Sequence, residues 1–374
     1  MKSDRRSGMG IDMAMRWREE RGFTIIELMA ALIVALVIVG AGFTALTTSD
    51  KASRVNDLVA ETQQNVRIGM ELLSRDVKTA GYGMTAAVGT CANAINPQDN
   101  NTGGADTGPD AVALVVPLTS IVAPVWTLSA QVVGGPATNT ITLNAVPSSA
   151  VDDMTTAGLA VNSTVSLAGA ASGTVAAVAG NVITLVNPIP APAVFPVNTQ
   201  VYLLQCITYA IGTAIPPCTG TATCLLRGVR DAVTFPNVNN DPAMVAIADG
   251  IEDLQLTYAC DGCVAAVNGG VADGLPDDQN GSNTFDTADF ISNNTWATPP
   301  LVPATIRLVQ ISIVARQLRN DQGAGEGRGT AVNAAPVVVG DHNPTNDAGF
   351  NMATYQQVRR RILIRTVDAR NLGL

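Results

Sequence analysis

Arg21-Gly22-Phe23-Thr24-Ile25-Ile26-Glu27 is the stretch on which the reading of this chain turns. It joins a charged segment, Met1 to Gly22, to an apolar run, Leu28 to Leu46, that contains no charged residue. A small residue followed by a bulky apolar one suits a processing site between Gly22 and Phe23. Glu27 stands at the edge of the membrane-length run. A charge at mid-helix would cost about 2.5–3.5 kcal/mol on insertion scales, so a carboxylate kept this close needs a functional explanation.

Working outward, the first 22 residues carry six basic side chains against four acidic ones, a net +2. That basic flank predicts a leader that stays cytoplasmic while the rest crosses the membrane. In a secretory signal peptide the apolar region precedes the cut and is discarded. Here it follows Gly22 and is retained. The whole chain has a net charge of −9, so the part after Gly22 is at −11. An acidic chain of this kind lacks the basic footprint of nucleic-acid binding. Charged and aromatic residues are few, and small β-prone residues with Gly, Pro and Asn dominate, which suits a loop-rich β structure.

The first proline is Pro97, and Phe23 to Ala80 contains only Gly40, Gly42 and Gly69 as glycines, so one long helix is predicted over 23–80, with 23–46 crossing the membrane. Gly40 and Gly42 weaken it by about 1 kcal/mol each relative to alanine. Beyond the apolar run, Val55, Leu58, Val59, Val66, Met70, Leu73 and Val77 recur at helical spacing between charged residues, the pattern of a helix packed along one stripe. Gly81 supplies the stop.

Residues 81–374 then read as a β-rich globular domain. Its strands are predicted at Ala111–Val116, Ser129–Val133, Thr140–Leu143, Thr164–Leu167, Gly173–Val178, Val182–Val186, Gln200–Leu204, Leu254–Tyr258, Ile306–Ala315 and Arg361–Val367. Asn139–Asn144 resembles Asn181–Asn187, which suggests two related hairpins in an inserted β-subdomain at about 123–200. The fold class is α+β: a long amino-terminal helix packed on a mostly antiparallel β domain.

The residues from Arg21 to Glu27 resemble the type IV prepilin signal. The resemblance implies cleavage after Gly22, methylation of the new terminal Phe23, and pairing of Glu27 with the free amine of a neighbouring subunit's first residue. The resemblance narrows further along the chain. Ser74-Arg75-Asp76-Val77-Lys78-Thr79-Ala80-Gly81-Tyr82, Asp249 to Tyr258, the Ile306–Arg316 strand and the closing Arg360-Arg361…Arg370-Asn371-Leu372 are similar to PilW/J-type minor pilins. The stretch from roughly 90 to 245 carries no such likeness.

The family implies a non-catalytic, pilin-like minor subunit that starts or tops a type IV pilus in a priming complex. Implied partners are other minor pilins, the major pilin, the prepilin peptidase, the assembly platform and ATPase, and a tip adhesin. The implied location is the inner membrane, single-pass, and then the pilus. Retention of Glu27 implies that at least one subunit sits above this one. A type II secretion minor pseudopilin and a membrane-anchored surface-binding protein stay open as alternatives.

Six cysteines, Cys91, Cys206, Cys218, Cys224, Cys260 and Cys263, fit an oxidising compartment. They allow about 15 pairings, among which the sequence does not choose. Cys260-Asp261-Gly262-Cys263 has the spacing of a metal or thiol-exchange unit, but it has no second such pair, so a disulfide within the turn or to another strand is expected. Cys206, Cys218 and Cys224 are expected to pin a loop. The acid-rich segment holding Asp273, Asp277, Asp278 and Asp286 is the reserve candidate for calcium, although its register is not that of an EF-hand; otherwise no cofactor is expected. The glycine-rich 323–329 loop lacks a phosphate-binding lysine. His342 is the only histidine and reads as an ordinary loop residue, and Arg359–Arg361 reads as a surface patch at a strand start.

Overall fold

A computed structural model describes residues 22–98, 106–118, 126–145, 149–151, 156–213, 215, 218, 223–229, 241, 243–263, 272–292, 302–318, 335–369 and 371. The leader up to Arg21, the 323–329 loop, and Arg370 and Leu372 of the closing block lie outside the described residues. The chain divides into two compact units, Met1–Arg54 and Val55–Leu374.

Helix α1 runs from Ile25 to Thr79, 55 residues, and contributes to both units. In the first unit the Leu28–Leu46 stretch is apolar all round, and Ile33, Leu36, Val39 and Phe43 within it are all exposed. It stays helical through Gly40 and Gly42, where Thr44 Oγ1 donates to the Gly40 carbonyl at 2.7 Å. In the second unit it is amphipathic: Val66, Met70, Leu73 and Val77, spaced by four, three and four, are buried. Gly69 faces the same way, and a Cβ there would lie 2.9 Å from Leu225 Cδ2, so its lack of a side chain sets how closely helix and sheet approach. Gly81, at φ 79°, ends the helix in the left-handed conformation that glycine adopts without strain.

The strands of the second unit are β1 (Ile95–Gln98), β2 (Ala111–Leu118), β3 (Trp126–Thr127), β4 (Val132–Val133), β5 (Thr140–Thr142) and β6 (Ser149–Val151). They continue with β7 (Thr156–Gly158), β8 (Thr164–Leu167), β9 (Ala171–Ala179), β10 (Val182–Leu185), β11 (Val194–Phe195) and β12 (Gln200–Gly212). The last six are β13 (Cys224–Val229), β14 (Met244–Asp249), β15 (Ile251–Cys260), β16 (Ile291–Ser292), β17 (Ile306–Arg316) and β18 (Arg360–Asp368).

All of these pairings are antiparallel, so the arrangement is the expected α+β one. The larger sheet is organised around β12, whose 13 residues are long enough to take β2 along one edge, and β8 followed by β13 along the other. The 123–200 stretch joins this sheet through the β8–β12 and β3–β12 pairs. Its two similar segments lie side by side, with Ile141 of β5 opposite Ile183 of β10. The smaller sheet has the order β16-β15-β17-β18. One hydrophobic cluster joins Val66, Met70, Leu73 and Val77 to Ile207 and Tyr209 of the first sheet and to Ile251, Leu254, Ile311 and Ile313 of the second.

A charge cluster is buried under the helix. Asp76 accepts from the Tyr209 hydroxyl at 2.6 Å and from Arg227 Nε at 2.9 Å, and Arg227 is 2% exposed. Burial and the adjacent Asp76 carboxylate push the Tyr209 hydroxyl well above the ordinary phenol range, against the opposing pull of Arg227, so it remains a donor. Further out, Arg365 bonds Glu71 at 3.0 Å, and Asn371 Nδ2 donates to the Lys78 carbonyl at 3.1 Å. Removing one member of a buried pair strands the other charge. Asp76→Ala should therefore lower the unfolding free energy by about 3–5 kcal/mol. A double Asp76→Leu/Arg227→Met variant should lose less than the sum of the two single changes, as read by chemical denaturation.

Candidate assembly and processing site

Gly22 and Phe23 precede the first turn of α1, and Phe23 is exposed. Thr24 is the cap: its carbonyl accepts from Leu28 N at 3.1 Å and its Oγ1 from Glu27 N at 3.2 Å. Thr24-Ile25-Ile26-Glu27 has the residue types of a capping box, with a threonine three positions before a glutamate at the head of an apolar run. That signal was in the sequence and went unread there. Glu27 thus has a local role as the first-turn acid favoured by the helix dipole, in addition to any intermolecular one.

The apolar half of the helix is long and apolar enough to cross a membrane. A helix that exposes isoleucine, leucine and valine on every side is stable only in lipid or among similar helices. A profile of the prokaryotic N-terminal methylation motif matches residues 17–44. A profile of the Type IV Pilus-assembly protein W matches residues 218–371, from the loop before β13 through the whole of the smaller sheet. The chain is thus similar to PilW-type pilus-assembly proteins over its carboxy-terminal part and carries the methylation motif at its start. No curated protein and no solved structure matches it.

The six cysteines form three disulfides: Cys91–Cys206, Cys218–Cys224 and Cys260–Cys263. Cys206 does not join its sequence neighbours. It bridges 115 residues to Cys91, tying β12 to the loop after the helix. Cys218–Cys224 closes a short loop at the start of β13. Two carboxylates stand beside the shorter bridges, Asp249 near Cys218 and Cys224, and Asp277 near Cys260 and Cys263. Sulfurs engaged in disulfides are not the thiolates that bind metal.

The acidic segment folds around the Cys260–Cys263 turn. Buried Asp261 accepts from Asp273 N and Gly274 N and pairs with Arg307 at 3.0 Å. Asp277 accepts from Cys263 N at 2.7 Å. Asp278 accepts from the amides of Gly281, Ser282 and Asn283, Asp286 from Ala288 N, and Asp273 from Leu275 N. Asp289 accepts from the amides of Asp286, Gln279 and Asn280. Burial pushes its carboxyl upward, but these donors outweigh burial and hold it below the usual range. The four calcium candidates thus direct oxygens at backbone N–H groups that organise the loop.

His342 is not the ordinary loop residue that sequence reading made of it. It is 4% exposed, with Nδ1 2.8 Å from Asp253 and Nε2 2.9 Å from Asp347, so it pins the 335–350 segment to β15. Burial would lower its pKa, but the two carboxylates outweigh burial and raise it to about 9. The Arg359–Arg361 patch also needs correction. The Arg360 side chain is covered, paired with Glu252 and stacked over the Tyr355 ring at 3.3 Å, whereas Arg361 is exposed. Both residues lacked a sequence signal because one partner of each, Asp253 for His342 and Glu252 for Arg360, lies far away in the chain.

A raised histidine pKa stabilises the fold fully below the unfolded value of 6.5, and the contribution fades as pH rises through about 9. The melting temperature should fall over that window in the native chain, and His342→Gln should flatten the fall. Loop-closure entropy also ranks the disulfides. Replacing Cys91 and Cys206 by alanine should cost about 2 kcal/mol more than replacing Cys218 and Cys224, measured by denaturation of each double variant.

Proposed function

We propose that this chain is a minor pilin that helps to initiate type IV pilus assembly within a tip or priming complex. One observation carries the reading. Helix α1 exposes apolar side chains all round from Leu28 to Leu46, begins at the Thr24 cap next to the Gly22–Phe23 junction with Glu27 in its first turn, and is held in its second part by a β domain. The PilW and methylation-motif matches support a pilus-related role for that design.

In this reading the leader is removed after Gly22 and Phe23 is methylated by the prepilin peptidase. The protein waits in the inner membrane as a single-pass subunit. The assembly platform then lifts it, and the apolar helix exchanges lipid for the helices of other minor pilins and the major pilin. Glu27 pairs with the amine of a neighbour's first residue. In an apolar filament core that pair gains from low dielectric and the absence of competing water, and it sets the axial stagger between subunits. The role is assembly, not catalysis. The exposed domain presents the surface that selects partners, a tip adhesin among them, with at least one subunit placed above this one.

Mass spectrometry of the protein from sheared pili should find it beginning at methylated Phe23. A chain still carrying its leader, or absent from sheared pili, would refute the reading. Glu27→Gln separates the two jobs of Glu27, because glutamine keeps the residue types of the cap and loses the charge. Cleavage and membrane insertion should be unchanged in that variant, while its incorporation into filaments should fall roughly tenfold or more. Normal incorporation would remove the charge pair from the mechanism.

A further inference from the structure

Strand β18 is the last strand of the smaller sheet, and among the described residues no strand pairs with its outer edge. Its register on β17 is unbroken from Arg360 opposite Arg316 to Asp368 opposite Leu308. The ladder continues past both ends, with Gln317 N donating to the Arg359 carbonyl at 3.0 Å and Ala369 N to the Arg307 carbonyl at 2.9 Å. Antiparallel pairs alternate between residues that exchange both backbone bonds and residues that exchange none. Arg361, Leu363, Arg365 and Val367 therefore bond to β17. Ile362, Ile364 and Thr366 turn their N–H and C=O groups away from the sheet.

The same residues expose their side chains. Ile362 is 45% and Ile364 is 55% exposed, and Thr366 is exposed as well. Natural edge strands are usually blunted by proline, a bulge, shortness or charged side chains, lysine above all. β18 contains no proline and no bulge, and its charges, Arg360, Arg361, Arg365 and Asp368, flank the apolar Ile362–Ile364 centre rather than interrupt it. Its two outward-facing isoleucines form an open template.

Beside this edge runs a groove of about 570 Å³ between β18 and α1, lined by Arg67, Ile68, Met70, Glu71, Leu363 and Arg365, among others. Ile68, on the helix flank, is 45% exposed. A strand added to β18 would sit about 4.8 Å further out. One of its faces would cover Ile68 and the groove floor, and the other would extend the Ile362–Ile364 surface. The electrostatics select its chemistry. Arg67 lines the groove beside the Arg365–Glu71 pair, and Arg361 stands exposed on β18 with Asp368 at the far end of the strand, so guanidinium groups outnumber carboxylates here in a chain that is acidic as a whole. A second copy of β18 would bring Arg360, Arg361 and Arg365 against Asp368 alone, adding positive charge to an edge that already carries the same arginines.

We propose that the β18 edge receives an extended strand, apolar with one or more carboxylates, from a different pilin-like subunit, which pairs by β-augmentation and fills the groove beside α1. This inference rests on the filament-subunit reading above and names how that subunit recognises its neighbour.

The test uses the full chain in pilus-producing cells. A photo-crosslinking residue replaces Ile364, and a control replaces Val186, which is equally exposed at 55% but lies beyond β10 in the larger sheet. Peptide mapping should place the Ile364 adduct on an extended segment of another subunit that itself carries the N-terminal methylation motif, with no such adduct from position 186. Ile362→Lys/Ile364→Lys should fold normally, because both sites are on the surface, and be processed at Gly22. Its incorporation into filaments should fall about tenfold or more. An adduct to a second copy of this chain, an adduct to a helix or loop, or wild-type incorporation of the double-lysine variant would each overturn the proposal. Failure of processing in the unmodified chain would instead sink the underlying function. Normal processing and incorporation of the variant would sink the edge alone.

Discussion

The architecture of the globular unit depends on Asp76. This carboxylate sits on the buried stripe of α1 and is held by Arg227 from β13 and Tyr209 from β12. A hydrophobic stripe alone would let the helix slide along the sheets, because apolar contacts carry little directional information. A buried carboxylate with a guanidinium and a phenol at hydrogen-bond distance admits one register. The apolar contacts of Val66, Met70, Leu73 and Val77 supply most of the favourable free energy, and the ion cluster fixes where along the sheet they are made.

That fixed register gives the helix its two-part character. Its second part is a structural element of a β domain with an anchored position. Its first part packs against no other element among the described residues, and from Leu28 to Leu46 it exposes mainly apolar side chains. In the proposed function this separation suits a subunit that leaves lipid and joins other helices while its domain stays folded. The three disulfides, the His342 clasp and the Arg360–Glu252 pair serve the second requirement. Each closes a loop or crosses between segments of the β domain and leaves the apolar rod untouched.

Much of this was legible in the residues because the signals are local. The apolar spacing along α1 reports the buried stripe, and Gly81 reports the helix end. Alternation and β-branched content report β17 and β18. Strands that broke the local rules escaped notice. The strand β1 contains Pro97, which is tolerated at an edge, and β13 contains Gly228 within a fully buried run that does not alternate. The alanine-rich β14 has little β-propensity of its own and is held by its pairing with β13. The likeness between Asn139–Asn144 and Asn181–Asn187 was visible, but the direct pairing of the two segments was not.

The sequence by itself determined the long helix, its apolar first part and a β-rich remainder. Each of these follows from composition or periodicity within a window of a few turns. Only the tertiary structure decided that Cys206 joins Cys91, that Asp76 meets Arg227, that His342 lies between two aspartates, and that Ile362 and Ile364 face outward at an unpaired edge. The physical reason is shared. Each of these facts is a contact between residues distant in the chain, fixed by strand order and register, and single-chain periodicity reports which face of an element is buried without reporting what covers it.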